Sequence, residues 1–473
     1  MKFAGLPALL LMGMVTAALA AAKPNLLLIV SDDLGYSDLG CLGVTPVRTP
    51  TLDRLAAEGV RATSFYVTAP ACTPSRGSIL TGRYPQRHGL YDLMRNDLVN
   101  YGHRYTPMEY AVSPEMTLGL DPREVTIGDV LQRAGYRTGM VGKWDMGQAR
   151  RFLPLQRGFH CFYGFGNGGI DYYTHERYGI PSMFRGNERT EADKGTYTTE
   201  LFKREALRFI RESRGQPWFL YLAFNAPHSA ASFPTPTAEA GGSTRPGKRP
   251  AAVGVQAPEK YAALYRDQVR DEKLARYYGA ITCMDEAIGE VLALLREQGE
   301  AGNTLVVFLA DNGGNRSTGN APLRGGKGQL FEGGLRVPFI AWWPGRLPAG
   351  RVCDDFLSAL EIFPTLAKVA GAKPDRKIPL DGFDMMPVLR GEQPSPRCEL
   401  FWEWRNQQAA RVDDWKWVAS GREGGLFDLR TDWGEQRDRA DEQPDCRQRM
   451  QARFAAWRAA MEASEPRGPF RDY

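Results

Sequence analysis

Apolar and polar positions along this chain alternate between two periods. Asn25 to Val30 (NLLLIV) is a short apolar run that ends in polar residues, as a strand buried on both faces would. Thr49 to Gly59 switches to helical spacing, with a capping threonine at its start and a glycine at its end. The exchange then repeats. Thr126 to Ala134 predicts a helix and Thr138 to Val141 a strand. Thr198 to Arg214 predicts a helix, and Trp218 to Phe224 (WFLYLAF) a buried strand. Asp271 to Gln298 is a long amphipathic helix leading into the strand Thr304 to Ala310 (TLVVFLA), and Val337 to Trp343 is a further strand. This order implies an α/β sandwich with a large, mostly parallel central sheet.

Three regions depart from that rhythm. Ser229 to Pro258 is rich in Pro, Gly, Ala and Ser and reads as a long loop that sets a rim. After Ala370 come short strands, Leu400 to Trp404, Trp415 to Ala419 and Leu426 to Leu429, then a charged helix from Gln448 to Ala463. These form a small C-terminal α+β subdomain. At the other end, one lysine precedes an apolar run from Leu6 to Val15 and the small-residue site Ala18-Leu19-Ala20. That is a signal peptide over 1–20, too short for a membrane anchor. The expected layout is therefore a signal peptide at 1–20, a main α/β domain at 23–390 and a subdomain at 391–473. The mature product is expected to be soluble, and secreted or periplasmic.

Composition narrows the classes further. The chain has 473 residues, 43% of them hydrophobic, enough for one large domain with an appendage or for two domains. Its net charge of +5 is spread out, with no basic run that would suggest a nucleic-acid partner. The 7 cysteines are scattered without a C-x-x-C pair, which excludes zinc-finger spacing. An odd count leaves one thiol unpaired, and the others are open between disulfides and buried thiols.

Polar clusters follow the strands, where open α/β sheets collect functional groups. Asp32-Asp33 follows the first strand, and Asp311-Asn312-Gly313-Gly314 follows TLVVFLA. Their oxygens suit calcium, or less readily magnesium, over zinc. The third cluster is ACTPSRGSILTGR, from Ala71 to Arg83. Cys, Pro and Arg at these offsets arise by chance on the order of once per hundred chains this long.

Cys72-x-Pro74-x-Arg76, extended through Leu80-Thr81-Gly82-Arg83, resembles the signature of the formylglycine-dependent sulfatases. Gly142-Lys143-Trp144, Asn225-Ala226-Pro227-His228, Asp311-Asn312-Gly313, Gly325 to Pro338 and LFDLRTDWGEQRDRA continue the likeness across the mature chain. The resemblance implies an alkaline-phosphatase-like fold and a maturase that oxidises Cys72 to formylglycine. That aldehyde hydrates to a diol, and a diol oxygen on a cation becomes a nucleophile near neutral pH. By the same resemblance, Asp32, Asp33, Asp311 and Asn312 hold calcium with position 72, and Asp311 is the base. Arg76 orients the hydrate, and Lys143 and Lys327 neutralise sulfate oxygens. His228, with Lys327, protonates the leaving alcohol. Substrates are expected to be sulfated sugars or aryl sulfates, with Tyr172, Tyr173, Trp402 and Trp404 open between sugar-stacking faces and core aromatics.

One position departs from the family. Asp145 stands where a histidine is usual, two residues after the lysine. A carboxylate base there shifts the expected pH optimum towards acid, and a salt bridge from Asp145 to Lys143 is the alternative. Two rivals follow: a phosphate or phosphonate monoester hydrolase on the same scaffold, and a glycan-binding homologue with impaired catalysis. The single sequon, Asn315-Arg316-Ser317, beside the metal cluster favours a bacterial exported protein.

Overall fold

Every residue of the strand Asn25–Ser31 is buried, because it lies between two other apolar strands in the middle of a ten-stranded sheet. The computed structural model describes residues 23–43, 45–96, 98–99, 103–233, 253–315, 318–375, 377–464 and 467. The signal peptide at 1–20, the middle of the Ser229–Pro258 loop and part of the sequon lie outside the described residues.

From one edge, the sheet runs Arg351–Cys353, Val60–Ala62, Phe339–Trp342, Thr304–Ala310, Asn25–Ser31, Trp218–Ala223, Arg137–Lys143, Cys161–Phe165, Met183–Arg185 and Glu188–Arg189. Thr304–Ala310 through Cys161–Phe165 are mutually parallel. This is the predicted α/β sandwich, and its apolar strands sit at the centre. The strand Phe339–Trp342 instead runs antiparallel to Thr304–Ala310. Apolar runs do not encode strand direction, so this was not legible beforehand.

Helices cover the sheet in two groups. Thr198–Glu212, Glu272–Glu297 and Pro50–Glu58 pack together, and Cys72–Thr81, Ile127–Arg133 and Ile362–Val369 form the second group. Asp285 on the long helix accepts the Thr51 and Leu52 amides at 2.9 and 2.8 Å. It thereby caps Pro50–Glu58 from outside, supplying acceptors for its unpaired first-turn amides. All seven cysteines are free thiols, so the fold is held without disulfides.

The C-terminal sheet is antiparallel, in the order Glu399–Trp404, Gln407–Val412, Trp415–Ala419, Gly425–Asp428. With the helix Pro444–Glu462 it builds a second apolar cluster around Trp402, Trp417, Phe454 and Trp457. Lys416 lies fully buried between two carboxylates, Glu332 at 2.8 Å and Glu435 at 3.0 Å. Burial raises the Glu435 carboxyl to about 7, against the pull of Lys416 and with the push of Glu332. A value raised on folding means that the folded chain holds this proton longer than the unfolded chain does. Its contribution to stability is full below the ordinary value of 4.5 and is lost as pH rises through about 7. Glu435→Gln keeps an acceptor for the Glu332 amide without the ionisation. The variant's thermal midpoint should therefore gain on the wild type between about pH 5 and pH 8. Equal shifts at both pH values would rule this account out.

Candidate active site

The parallel strands end on one edge of the sheet, and each delivers a polar residue there. Ser31 leads into Asp32 and Asp33, Lys143 closes its own strand, Ala223 leads to Asn225 and His228, and Ala310 leads to Asp311 and Asn312. Two glycines permit the close approach. Gly142 has φ +108°, and a Cβ there would fall 1.8 Å from the Ala223 carbonyl oxygen. A Cβ on Gly313 would fall 1.8 Å from that of Gly333. No side chain fits at either position.

Cys72 is the first residue of the helix Cys72–Thr81, whose ten residues are all buried. Pro74 falls in the first turn, where the missing amide costs nothing because that amide has no intrahelical partner. The helix aims the Cys72 sulfur at the strand edge. Sγ lies 3.3 Å from Asp32 Oδ1 and 3.9 Å from Asp33 Oδ1, and Lys327 Nζ lies 3.2 Å from Sγ. One turn on, Arg76 directs Nε and Nη2 to Asp311 Oδ2, each at 2.8 Å, and Nη1 to the Lys143 carbonyl at 3.0 Å. Lys143 Nζ donates to Asp32 Oδ2 at 2.7 Å, and Lys327 Nζ to Asp33 Oδ2 at 2.8 Å. His228 Nε2 is 3.8 Å from Asp33 Oδ2, and Nδ1 is 2.6 Å from the Ser229 carbonyl oxygen. The carbonyl accepts from Nδ1–H, which leaves Nε2 unprotonated on the pocket side. Asp32, Asp33, Cys72, Arg76, Lys143, His228, Asp311, Asn312 and Lys327 thus meet in one largely buried cluster.

The charges oppose one another at close range. Burial alone raises Asp33, but Lys327 and His228 outweigh it and hold the carboxyl well below the usual range. Burial lowers Lys143 and Lys327, but Asp32 and Asp33 keep both ammonium groups charged. Burial, then Lys327, drives His228 down to about 3. Burial and Asp32 push the Cys72 thiol well above its ordinary value, so it remains protonated.

The cluster offers ligand atoms for a metal ion. Ligand atoms of Asp32, Asp33, Cys72 and His228 all lie within 4.8 Å of one another. Asn312 Oδ1 is buried with no partner, an orphan acceptor beside Asp33. A buried acceptor without a donor is costly unless something absent from the chain satisfies it. Asp311 stands slightly apart from that group. Its Oδ2 is held by Arg76, and its Oδ1 accepts the Asp33 amide at 3.3 Å. Asp33 itself has a left-handed backbone, φ 64°.

Asp145 also has left-handed backbone, φ 55°, and is fully buried. Its nearest cation is Lys143 Nζ at 3.7 Å. Neither carboxylate oxygen accepts a hydrogen bond among the described residues, and the Thr73 hydroxyl lies close by without completing one. Burial raises its carboxyl above the usual range, against the pull of Lys143.

The aromatic platform does not form. Trp402 is buried and donates to the Val67 carbonyl at 2.8 Å, and Trp404 belongs to the same core. Tyr172 is buried, with its hydroxyl on the Asn225 and His228 carbonyls at 2.8 and 2.7 Å. Of these, Tyr172 alone supports the Asn225–His228 segment, and the half-buried Tyr173 packs on Tyr197. Missed from the sequence were Thr73, Arg177 and Glu115, and the pair Gly168-Gly169 beside Asp145 and His228. Adjacent glycines are a sequence signal for close backbone approach, and Asn167-Gly168-Gly169 carried it.

The family model described as Sulfatase matches residues 24–372. The chain belongs to the sulfatase family. N-acetylgalactosamine-6-sulfatase of Canis lupus familiaris is 33% identical over 431 residues, covering 86% of this chain and 74% of that one. Arylsulfatase A of Homo sapiens is 34% identical over 411 residues, covering 84% and 74%. Among solved structures, Ps i-CgsB in complex with k-i-k-neocarrahexaose superposes with a TM-score of 0.77 at 29% identity, over 92% of each chain. The fold is alkaline-phosphatase-like, and this sulfatase is a sulfuric ester hydrolase. No helix among its described residues is long and apolar enough to cross a membrane.

Proposed function

We propose that this sulfatase releases sulfate from a sulfated carbohydrate, using a formylglycine made from Cys72 and a calcium ion. The supporting observation is the position of the Cys72 sulfur, which lies between Asp32 and Lys327 at 3.3 and 3.2 Å beside a partnerless Asn312 oxygen. Asp32, Asp33, Asp311, Asn312 and the modified position 72 would hold the cation. The modified residue would supply an oxygen nucleophile, and a bound cation would make that oxygen more acidic.

The remaining roles belong to this chain's own side chains. Arg76 holds Asp311 in place as the base. Lys143 and Lys327 are already desolvated and charged, so they stabilise a sulfuryl group without reorganising. His228 is neutral at rest, with Nε2 free. An entering anionic ester opposes the field of Lys327, and this raises the imidazole so that it carries the proton for the leaving oxygen. Asp145 takes the place of the usual histidine as a base. Burial lifts its carboxyl, which narrows the gap to an imidazole. Residues 23–390 form the catalytic unit and 391–473 the subdomain, with 1–20 removed on export.

The relatives named for sugar sulfates support the substrate class. The test is sulfate release from defined sulfated oligosaccharides by protein produced beside a maturase, with aryl sulfate and aryl phosphate in parallel. A preference for phosphate by orders of magnitude would overturn the reading. Sugar affinity without sulfate release would point to an impaired binding homologue.

Metal removal should act strongly. Dialysis against a chelator should lower turnover by at least about tenfold, and calcium should restore it. It should also lower the thermal midpoint, since Asp32, Asp33 and Asp311 then repel without a divalent partner. Restoration by magnesium and not by calcium would displace the calcium assignment.

A further inference from the structure

Beyond His228 the pocket mouth carries a cation that the chemistry above leaves unused. Arg177 sits on a short hairpin, Glu176–Arg177 paired with Ile180–Pro181. Its Nε donates to Glu115 Oε1 at 2.7 Å, and its Nη1 to the Gly169 carbonyl at 3.1 Å. Its other terminal nitrogen makes no bond among the described residues, and the side chain keeps 13% exposure. Glu115 is only 3% exposed and is fixed by the Asn96 amide and the Tyr110 hydroxyl at 3.3 and 3.2 Å. Nε and Nη1 are therefore anchored, the guanidinium lies 5.4 Å from the centre of the Tyr178 ring, and Nη2 is the nitrogen left for a ligand.

Its position is set with respect to the catalytic groups. A Cβ on Gly169 would lie 3.1 Å from His228 Cε1 and 3.7 Å from Arg177 Nη1. Imidazole and guanidinium thus flank one narrow gap that a methyl group would fill. The hairpin is also tied to the His228 segment, through the Tyr178 amide on the Ala231 carbonyl at 2.8 Å. His175 and Tyr178, on either side of Glu176–Arg177, both have left-handed backbone, φ 60° and 48°. At Tyr178 and Gly179 this is the backbone that a two-residue hairpin turn requires, and it fixes where the hairpin presents Arg177.

Lys143 and Lys327 lie on the cysteine side of the pocket, where the scissile sulfate would sit. Arg177 lies across Gly169 from His228, the group proposed above to protonate the leaving oxygen, so a leaving sugar held by His228 would come within its reach. The nitrogen that remains carries a charge-assisted donor suited to a sulfate or carboxylate oxygen. We propose that Arg177 reads a second anionic group on the substrate, a further sulfate or a carboxylate on the sugar that leaves. This inference rests on the sulfated-carbohydrate reading above.

The test is calorimetric binding to the Cys72→Ala protein, chosen so that binding is read apart from turnover. Three probes suffice: a disaccharide with one sulfate, the same disaccharide with two, and one with a sulfate and a uronic carboxylate. The Arg177-intact protein should prefer a probe with a second anion by about tenfold or more, and which probe wins identifies the group. Arg177→Met with Glu115→Gln, which leaves no buried unpaired carboxylate, should erase that ratio. Arg177→Lys keeps Glu115 paired and should retain only part of it, which separates recognition from folding. Equal binding of all three probes by the intact protein, or an unchanged ratio in the double variant, overturns the inference. Failure to bind any probe overturns it together with the carbohydrate reading. Binding with the expected ratios, but no sulfate release by the matured wild type, would sink only the catalytic reading.

Discussion

Cys72→Ala, produced beside a maturase, should lose sulfate release by about three orders of magnitude or more. The reason lies in the state of the thiol. Cys72 is 2% exposed, and burial with Asp32 keeps it protonated. A protonated thiol is a poor nucleophile, and a thiolate here would face Asp32 and Asp33 across less than 4 Å. The unmodified wild-type chain should accordingly be as inactive as the variant. Turnover of an aryl sulfate, paired with peptide mass spectrometry across position 72, checks both statements. Wild-type rates from Cys72→Ala would remove this residue from the reaction.

Arg76→Met should damage both stability and turnover. The guanidinium is wholly buried, with two nitrogens on Asp311 and one on the Lys143 carbonyl. Removing one partner of a buried ion pair costs about 3–5 kcal/mol, because the other charge is left without compensation. Asp311 would then face Asp32 and Asp33 with one cation fewer. Bound calcium would offset part of that loss, so the fall in thermal midpoint should be larger in chelator than in calcium. Turnover should fall by at least about a hundredfold, since Asp311 and the helix start both lose their anchor. Arg76→Lys should recover part of the stability, but one ammonium cannot span the same three contacts. A Met variant that melts like the wild type in both buffers would show that this clamp does not stabilise the fold.

Strand identity was legible wherever burial on both faces demanded an unbroken apolar run. Thr304–Ala310 matches its prediction residue for residue. Gln407–Val412 was invisible, because QQAARV owes its strand to pairing with neighbours on both sides. The site was legible because each polar cluster follows such a run, and chain ends of parallel strands share one edge. Arg177 was not legible, since its meaning depends on Glu115, 62 positions away. Trp402 and Trp404 show the converse. Two tryptophans on one strand resemble a sugar platform, but the second apolar cluster encloses both.

The helix Cys72–Thr81 is buried along its whole length, and this sets a timetable for the living cell. Once the sheet has closed over position 72, no second enzyme reaches its sulfur. On the formylglycine proposal, conversion of Cys72 would have to be completed on a chain still emerging or still unfolded. The order of synthesis helps, because Thr304–Ala310 and the Lys327 segment are translated long after Cys72. Until they arrive, the partners that seal the thiol do not yet exist. On that proposal, a molecule that folds unconverted would be locked out until it unfolds.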